Sequence, residues 1–312
     1  MMSFSLVKAN LSLSRCAASI LNGKPNEGRL MNMLEGQELA TYCFVLAGFT
    51  FMLLLFMIRQ NLVAPVKEPG IQVGNGQTIG NRDEQDDYFS TATTPIGTLA
   101  VLADGISGLS HGRMSSTLAV TLFMREFLNL DDAQDITSFF TKAARKSNTE
   151  ILQQIGGSNG GTTLVAAVVT EDKLYWGAVG DSSIMVFRNG GFIKMNHKHI
   201  LESVLEERYL SGEITKEQAT NNPMGKRLIN YLGYEQFQNM EICNEPFLLK
   251  KKDKVILLSD GVYNTLSEVE MEQILMNAAS PNDAAEEMVA EIERKQLRNQ
   301  DNATVIILEQ GW

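Results

Sequence analysis

The chain has 312 residues, 44% of them apolar, enough to bury the core of one large domain or two small ones and too apolar for a disordered protein. Its formal net charge of -10 argues against a nucleic-acid binder, whose affinity is built on clustered Lys and Arg. The three cysteines, Cys16, Cys43 and Cys243, are too scattered for a disulfide framework or a Cys-rich zinc site and suit a reducing compartment.

Residues 1–38 carry no strong pattern and are read as an N-terminal tail. From Leu39 to Ile58 the run LATYCFVLAGFTFMLLLFMI holds no charge and is long enough for the ~30 Å hydrocarbon layer, which predicts one transmembrane helix over 39–58. A core helix of that length would show a polar stripe. A cleaved signal peptide would be shorter and end in small residues, whereas this run ends in Phe56-Met57-Ile58-Arg59. The following residues, rich in Pro and Gly, assign 59–76 to a linker and 77–312 to a folded domain that begins between Ile71 and Gly80.

Within the domain, Thr162 to Val169, Lys173 to Val179 and Ser183 to Phe187 are short β-rich runs separated by turn residues, which predicts an antiparallel meander. Apolar residues at three- and four-residue spacing predict helices over Met114 to Leu128, Ile136 to Ile155, Ile200 to Leu210 and Asp283 to Leu297. Strands and helices in separate runs favour a layered α+β sandwich over a parallel βαβ sheet.

Four acidic positions stand at the ends of strand-like runs. Thr98 to Ala103 leads into Asp104-Gly105, and Val255 to Leu258 into Ser259-Asp260-Gly261. Asp301-Asn302 precedes Ala303 to Leu308, and Asp86-Asp87 precedes Tyr88-Phe89. Hard divalent cations take oxygen ligands, and a glycine after an acid lets the backbone carbonyl approach an ion. Any one Asp-Gly pair is an ordinary turn; four acids at strand ends become a metal site only if the fold makes them converge, which spacing does not decide.

The run Gly80-Asn81-Arg82-Asp83-Glu84-Gln85-Asp86-Asp87, then Ala103-Asp104-Gly105-Ile106-Ser107-Gly108, Gly161-Thr162-Thr163, Gly180-Asp181-Ser182, Leu258-Ser259-Asp260-Gly261-Val262-Tyr263 and Asp301-Asn302-Ala303-Thr304-Val305 resemble, in order, the motifs of the metal-dependent protein phosphatases. These are the type 2C Ser/Thr phosphatases, and the resemblance is to their bacterial branch. It covers about residues 71–310 and implies a four-layer α-β-β-α sandwich with two antiparallel sheets. It further implies two Mn²⁺ or Mg²⁺ ions held by Asp87, Asp104, the Gly105 carbonyl, Asp260 and Asp301, with Asp86 and Asn302 behind them and Arg82 clamping the substrate phosphate. A water acidified by the metal pair would attack phosphorus without a phosphoenzyme. A weaker third ion would fall to Asp181.

Expected substrates are proteins phosphorylated by a Ser/Thr kinase, met by a monomeric catalytic domain on the cytoplasmic side of the cell membrane, where ATP-made phosphoproteins are found. A catalytically inactive binding module and a small-molecule phosphohydrolase are the alternatives. Several positions depart from the family pattern. Gln85 and Asp86 replace Asn and Glu, Ser107 replaces Gly, Ile106 stands where eukaryotic members have His, and Asn264 stands where some members have another acid. Glu202 to Gly233 resembles the variable flap beside the active site. Asn196-His197-Lys198-His199 is expected to be a solvated loop rather than a metal site.

Overall fold

The computed structural model describes residues 46–57, 59, 70–106 and 111–310. The chain divides into two compact units, Met1–Val66 and Lys67–Trp312. In the first, residues 46–57 form a helix with exposed side chains. This stretch is about 18 Å long at ~1.5 Å per residue, and among the described residues no helix is long and apolar enough to cross a membrane. The rest of the expected span, 39–45 and 58, lies outside the described residues.

The second unit is built on two antiparallel sheets. One has the order β1 (Ile71–Thr78), β11 (Ala303–Gln310), β10 (Lys254–Leu258), β6 (Ser183–Arg188), β7 (Gly191–Lys194). The other runs β2 (Asp87–Thr94), β3 (Gly97–Asp104), β4 (Leu164–Thr170), β5 (Lys173–Val179), β8 (Glu241–Ile242), with β9 (Phe247–Leu248) also pairing β5.

Three apolar clusters separate four layers. In β3, Leu99, Val101 and Ala103 face helices α1 (Gly112–Leu128) and α2 (Ile136–Ile155), packing on Phe123, Phe127 and Phe140. The alternate residues Ala100 and Leu102 face the other sheet and meet Ile184, Val186, Leu257 and Ile306. On the far side of that sheet, Ile256, Val305 and Ile307 pack under α6 (Glu268–Asn277) and α7 (Pro281–Arg294). A strand covered on both faces reads as a continuous apolar run, which is why TLAVLA shows no alternation. Two helices of the flap region, α3 (Leu201–Leu210) and α4 (Lys216–Thr220), and the one-turn α5 (Asp260–Tyr263) complete the order.

Two expectations require correction. The three runs of the expected meander do not share a sheet: β4 and β5 pair, whereas β6 crosses at Asp181-Ser182 to pair with β10 and β7. The expected linker also runs too far, because 71–76 belong to β1, which pairs with β11 from Ile71↔Gln310 to Thr78↔Ala303. Its glycines are there for contact rather than flexibility. A Cβ on Gly74 would lie 2.1 Å from the Pro281 carbonyl carbon, and one on Gly76 would lie 2.6 Å from the Ala285 oxygen, because α7 lies against this strand.

Gly74→Ala should therefore force α7 off the sheet and lower unfolding free energy in urea by on the order of 1–3 kcal/mol. The exposed neighbour Asn75→Ala should change it by less than ~0.5 kcal/mol. Equal, near-zero effects at both positions would mean that β1 is the linker its composition suggests.

Candidate active site

The sheet register brings the acids to one edge of the sandwich. Asp87 opens β2 and stands opposite Asp104, the last residue of β3. In the other sheet Leu258 pairs with both Val305 and Ser183, so the residues just beyond these rungs gather together. They are Asp260 at the start of α5, Asp301 ahead of β11 and Asp181 ahead of β6.

Asp87 links the two sheets. Its Oδ2 accepts hydrogen bonds from Ser259 Oγ at 2.8 Å and Thr304 Oγ1 at 2.7 Å, both buried hydroxyls of the opposite sheet. Ser259 Oγ in turn accepts from the Thr304 N–H at 2.9 Å. The other oxygen, Asp87 Oδ1, is buried and has no hydrogen-bond partner. On the facing strand, the Asp104 carbonyl accepts from the Thr163 N–H and from Thr162 Oγ1, both at 2.8 Å, which fixes the strand end.

The glycines after the acids permit close backbone approach. A Cβ on Gly261 would stand 1.9 Å from the Asn302 oxygen, and one on Gly105 would stand 2.6 Å from the Gly112 carbonyl. Asn302 anchors the loop that carries Arg82. Its Nδ2 donates to the Ile79 and Glu84 carbonyls at 2.8 and 3.0 Å, and its Oδ1 accepts from the Asp86 N–H at 2.8 Å. Asp86 takes part through its backbone too, its carbonyl accepting from Ser116 Oγ at 2.6 Å and from the Gly105 N–H at 3.2 Å.

Electrostatics shows the convergence that spacing could not. Lost solvation raises Asp104 well above the usual carboxylate range, and the charges of Asp87, Asp260, Asp181 and Asp301 push it further. Burial, then Asp181 and Asp301, raises Asp260 to about 7. Burial, with the Asp301 charge, lifts Asp87 to about 6, against the pull of the Thr304 and Ser259 hydroxyls and of the neighbouring Asp104 carboxyl. Burial raises Asp181, with Lys198 opposing.

Such a set of hard oxygen donors, one of them buried and unpaired, fits divalent cations that supply the missing positive charge. Among the described residues, however, no three acidic, imidazole or thiolate side chains are drawn into a ready-made cage. One reason is visible at Asp301, whose Oδ2 is 2.6 Å from Arg82 Nη2, so the expected ligand and the expected phosphate clamp pair with each other.

The 196–199 segment is not the solvated loop expected from its composition. Asn196 Oδ1 accepts from the Ile184 N–H at 2.7 Å, and Asn196 Nδ2 donates to the Ser182 carbonyl at 3.0 Å. His199 Nδ1 accepts from the Gly180 N–H at 3.2 Å, and Lys198 lies half-buried over the Tyr263 ring. Only His197 is exposed, paired to Glu241. Ser259 and Thr304 are site residues that the sequence motifs do not single out; their signal is a hydroxyl one residue before Asp260 and two after Asn302, a natural partner for a buried carboxylate.

A sandwich of two antiparallel sheets flanked by helices, with acids clustered at one edge, defines the class. A family model described as protein phosphatase 2C matches residues 74–300, and the chain belongs to that family. It is 29% identical to the serine/threonine phosphatase Stp of Listeria innocua over 244 residues, covering 76% of this chain and 89% of that protein. It is 25% identical to the protein phosphatase PhpP of Streptococcus pneumoniae over 215 residues, 67% of this chain and 85% of that protein. The fold is shared with the S. agalactiae serine/threonine phosphatase (TM-score 0.67, 23% identity, 77% of this chain and 99% of that one). It is also shared with the catalytic domain of PstP, solved with two manganese ions (TM-score 0.62, 21% identity, 77% and 97%).

A raised Asp260 makes the folded state hold its proton to higher pH than the unfolded chain, so between about pH 4 and 7 this residue lowers stability as pH rises. In EDTA, the wild type should lose on the order of 1–3 kcal/mol more than Asp260→Asn between pH 5 and pH 8. Parallel pH profiles of urea unfolding for the two proteins would refute the buried-charge account.

Proposed function

We propose that this protein hydrolyses phosphoserine and phosphothreonine esters in proteins, with Asp87, Asp104, the Gly105 carbonyl, Asp260 and Asp301 holding two Mn²⁺ or Mg²⁺ ions. The observation that supports this is the gathering of Asp87, Asp181, Asp260 and Asp301, whose charges raise Asp104, together with the buried Asp87 Oδ1 that has no hydrogen-bond partner. PstP, which has the same fold, was solved with two manganese ions. When bound, such ions supply a nucleophilic water near neutral pH and neutralise developing charge on phosphoryl oxygens.

The chain's own residues supply the rest. Arg82 sits on the open rim, its side chain 44% exposed, and contacts Asp301 through Nη2 alone. A guanidinium offers five donors in a fork, which suits a phosphate dianion. Asn302 and the backbone of Asp86 hold its loop in place. Ile106 follows Asp104-Gly105 and offers no proton, so the leaving serine oxygen takes its proton from water. Beside Arg82 lies an open cleft of about 940 Å³, lined by Asn81, Asp86, His111, Arg113 and Met114 among others, with room for the residues flanking the phosphorylated one.

Within this reading, 59–70 joins the catalytic domain to an anchor at 39–58, whose uninterrupted apolar run supports one membrane span with the domain on the cytoplasmic side. The domain works as a monomer against the products of a Ser/Thr kinase. Any third ion at Asp181 binds at about millimolar strength or more weakly, because Asn264 offers an amide where a second carboxylate would add charge.

The test is Mn²⁺-dependent hydrolysis of p-nitrophenyl phosphate and of a phosphopeptide panel by the full chain, with EDTA as control. Asp104→Asn and Asp260→Asn should each lower kcat by on the order of 10³-fold or more, whereas Arg82→Ala should mainly raise KM. Near-wild-type turnover by either Asp variant at saturating Mn²⁺ would overturn the site. Turnover of nucleotides or sugar phosphates but of no phosphopeptide would favour a small-molecule phosphohydrolase. A reporter fused after Trp312 should be active on the cytoplasmic side; activity only on the other side would reverse the orientation.

A further inference from the structure

Positive charge meets the acid cluster at two ends. At one, Arg82 pairs with Asp301. At the other stands Lys198, half-buried in a segment whose composition suggests solvent. Its Nζ lies 3.3 Å from the centroid of the Tyr263 ring, so its close partner is an aromatic face rather than a carboxylate. Tyr263 is the last residue of the short helix that Asp260 begins, and its hydroxyl donates to the Asp181 carbonyl at 3.1 Å. The ring under the ammonium is thus tied to the Asp181 backbone by its hydroxyl and to Asp260 through their shared helix turn. Lys198 acts on the charge of Asp181 and of Asp260, and Lys226 adds to the effect on Asp181.

The segment carrying Lys198 is fixed on both sides, by Asn196 on the backbone of Ser182 and Ile184 and by His199 on the Gly180 N–H. The ammonium is therefore held rather than swinging on a free loop. Asn264 Nδ2 also donates to Asp260 Oδ2 at 3.3 Å, so a neutral donor takes one acceptor position of that carboxylate. Burial pulls the Lys198 ammonium below the usual lysine range, the charges of Asp181 and Asp260 oppose that, and the aromatic face adds a favourable contact for the charged form.

We infer that the Lys198 ammonium is a built-in monovalent cation for the Asp181–Asp260 end of the site, taking the electrostatic place of a further divalent ion and limiting the centre to two. The inference rests on the dimetal reading above. Like charges at short range in a poorly solvated pocket repel strongly, so an incoming ion must displace or neutralise Lys198. Lys198 is a positioning residue in this account, setting metal number without touching the substrate.

The test counts Mn²⁺ ions on the full chain by calorimetric titration and by electron paramagnetic resonance of free Mn²⁺. The proteins are wild type, Lys198→Met, Lys198→Arg and the double variant Lys198→Met with Asp181→Asn. Met keeps the length and packs well on an aromatic ring, and Lys198→Gln serves if the Met variant does not melt cooperatively. The expected result is two ions in wild type and in Lys198→Arg, and one more in Lys198→Met, bound at least about tenfold tighter than any third event in wild type. The double variant should lose that extra ion. Two ions in all the variants would overturn this inference alone, as would an extra ion that survives in the double variant. A wild type that takes up no Mn²⁺ would overturn the dimetal reading, and this inference with it.

Discussion

The Asp87 carboxylate, gripped by Ser259 and Thr304 hydroxyls from the opposite sheet, is the contact on which the site depends. It ties the two sheets together at the edge where the acids gather and leaves the other oxygen buried without a partner. A buried acid with one oxygen satisfied and one left over costs stability, and neighbouring acids of the same sign add to that cost. The fold tolerates it because three apolar clusters brace the strands that carry the acids. Strain of this kind at one edge of a well-packed scaffold is the usual relation between a catalytic centre and its support.

The order of the acids along the chain was legible because each stands at the end of an apolar run, and Asp104 and Asp260 are followed by glycine. Their convergence was not, since it depends on the rung that sets Asp87 against Asp104 and on the pairing of Leu258 with both Val305 and Ser183. The helix over Ile136–Ile155 follows from its strong apolar periodicity. By contrast α6 is hard to read in spite of its Ser267 and Glu270 capping box, because its apolar residues are spread around the helix, Val269 and Met276 exposed and only Met271 and Leu275 buried.

Composition misled where one residue type serves two purposes. Gly74 and Gly76 look like linker residues and instead clear a path for α7. Asp181-Ser182 looks like a hairpin turn and instead carries the chain from one sheet to the other. Lys198 sits among polar neighbours that suggest solvent, yet its partner is Tyr263, remote in sequence and brought close only by the β6–β10 pairing. Long-range pairing of this kind leaves no local signature.

The β1–β11 ladder also has a mechanical side. Ile71, where the chain enters the domain, pairs with Gln310, and the strand runs inward to Thr78, just ahead of the loop that carries Arg82. Tension from the residues before Ile71 directed across the sheet would load this ladder at its outer rung and open it one pair at a time, whereas tension along the strand would load its rungs together in shear. Each pair lost from the outer end would bring the opening nearer to the loop that carries Arg82 and to its pair with Asp301.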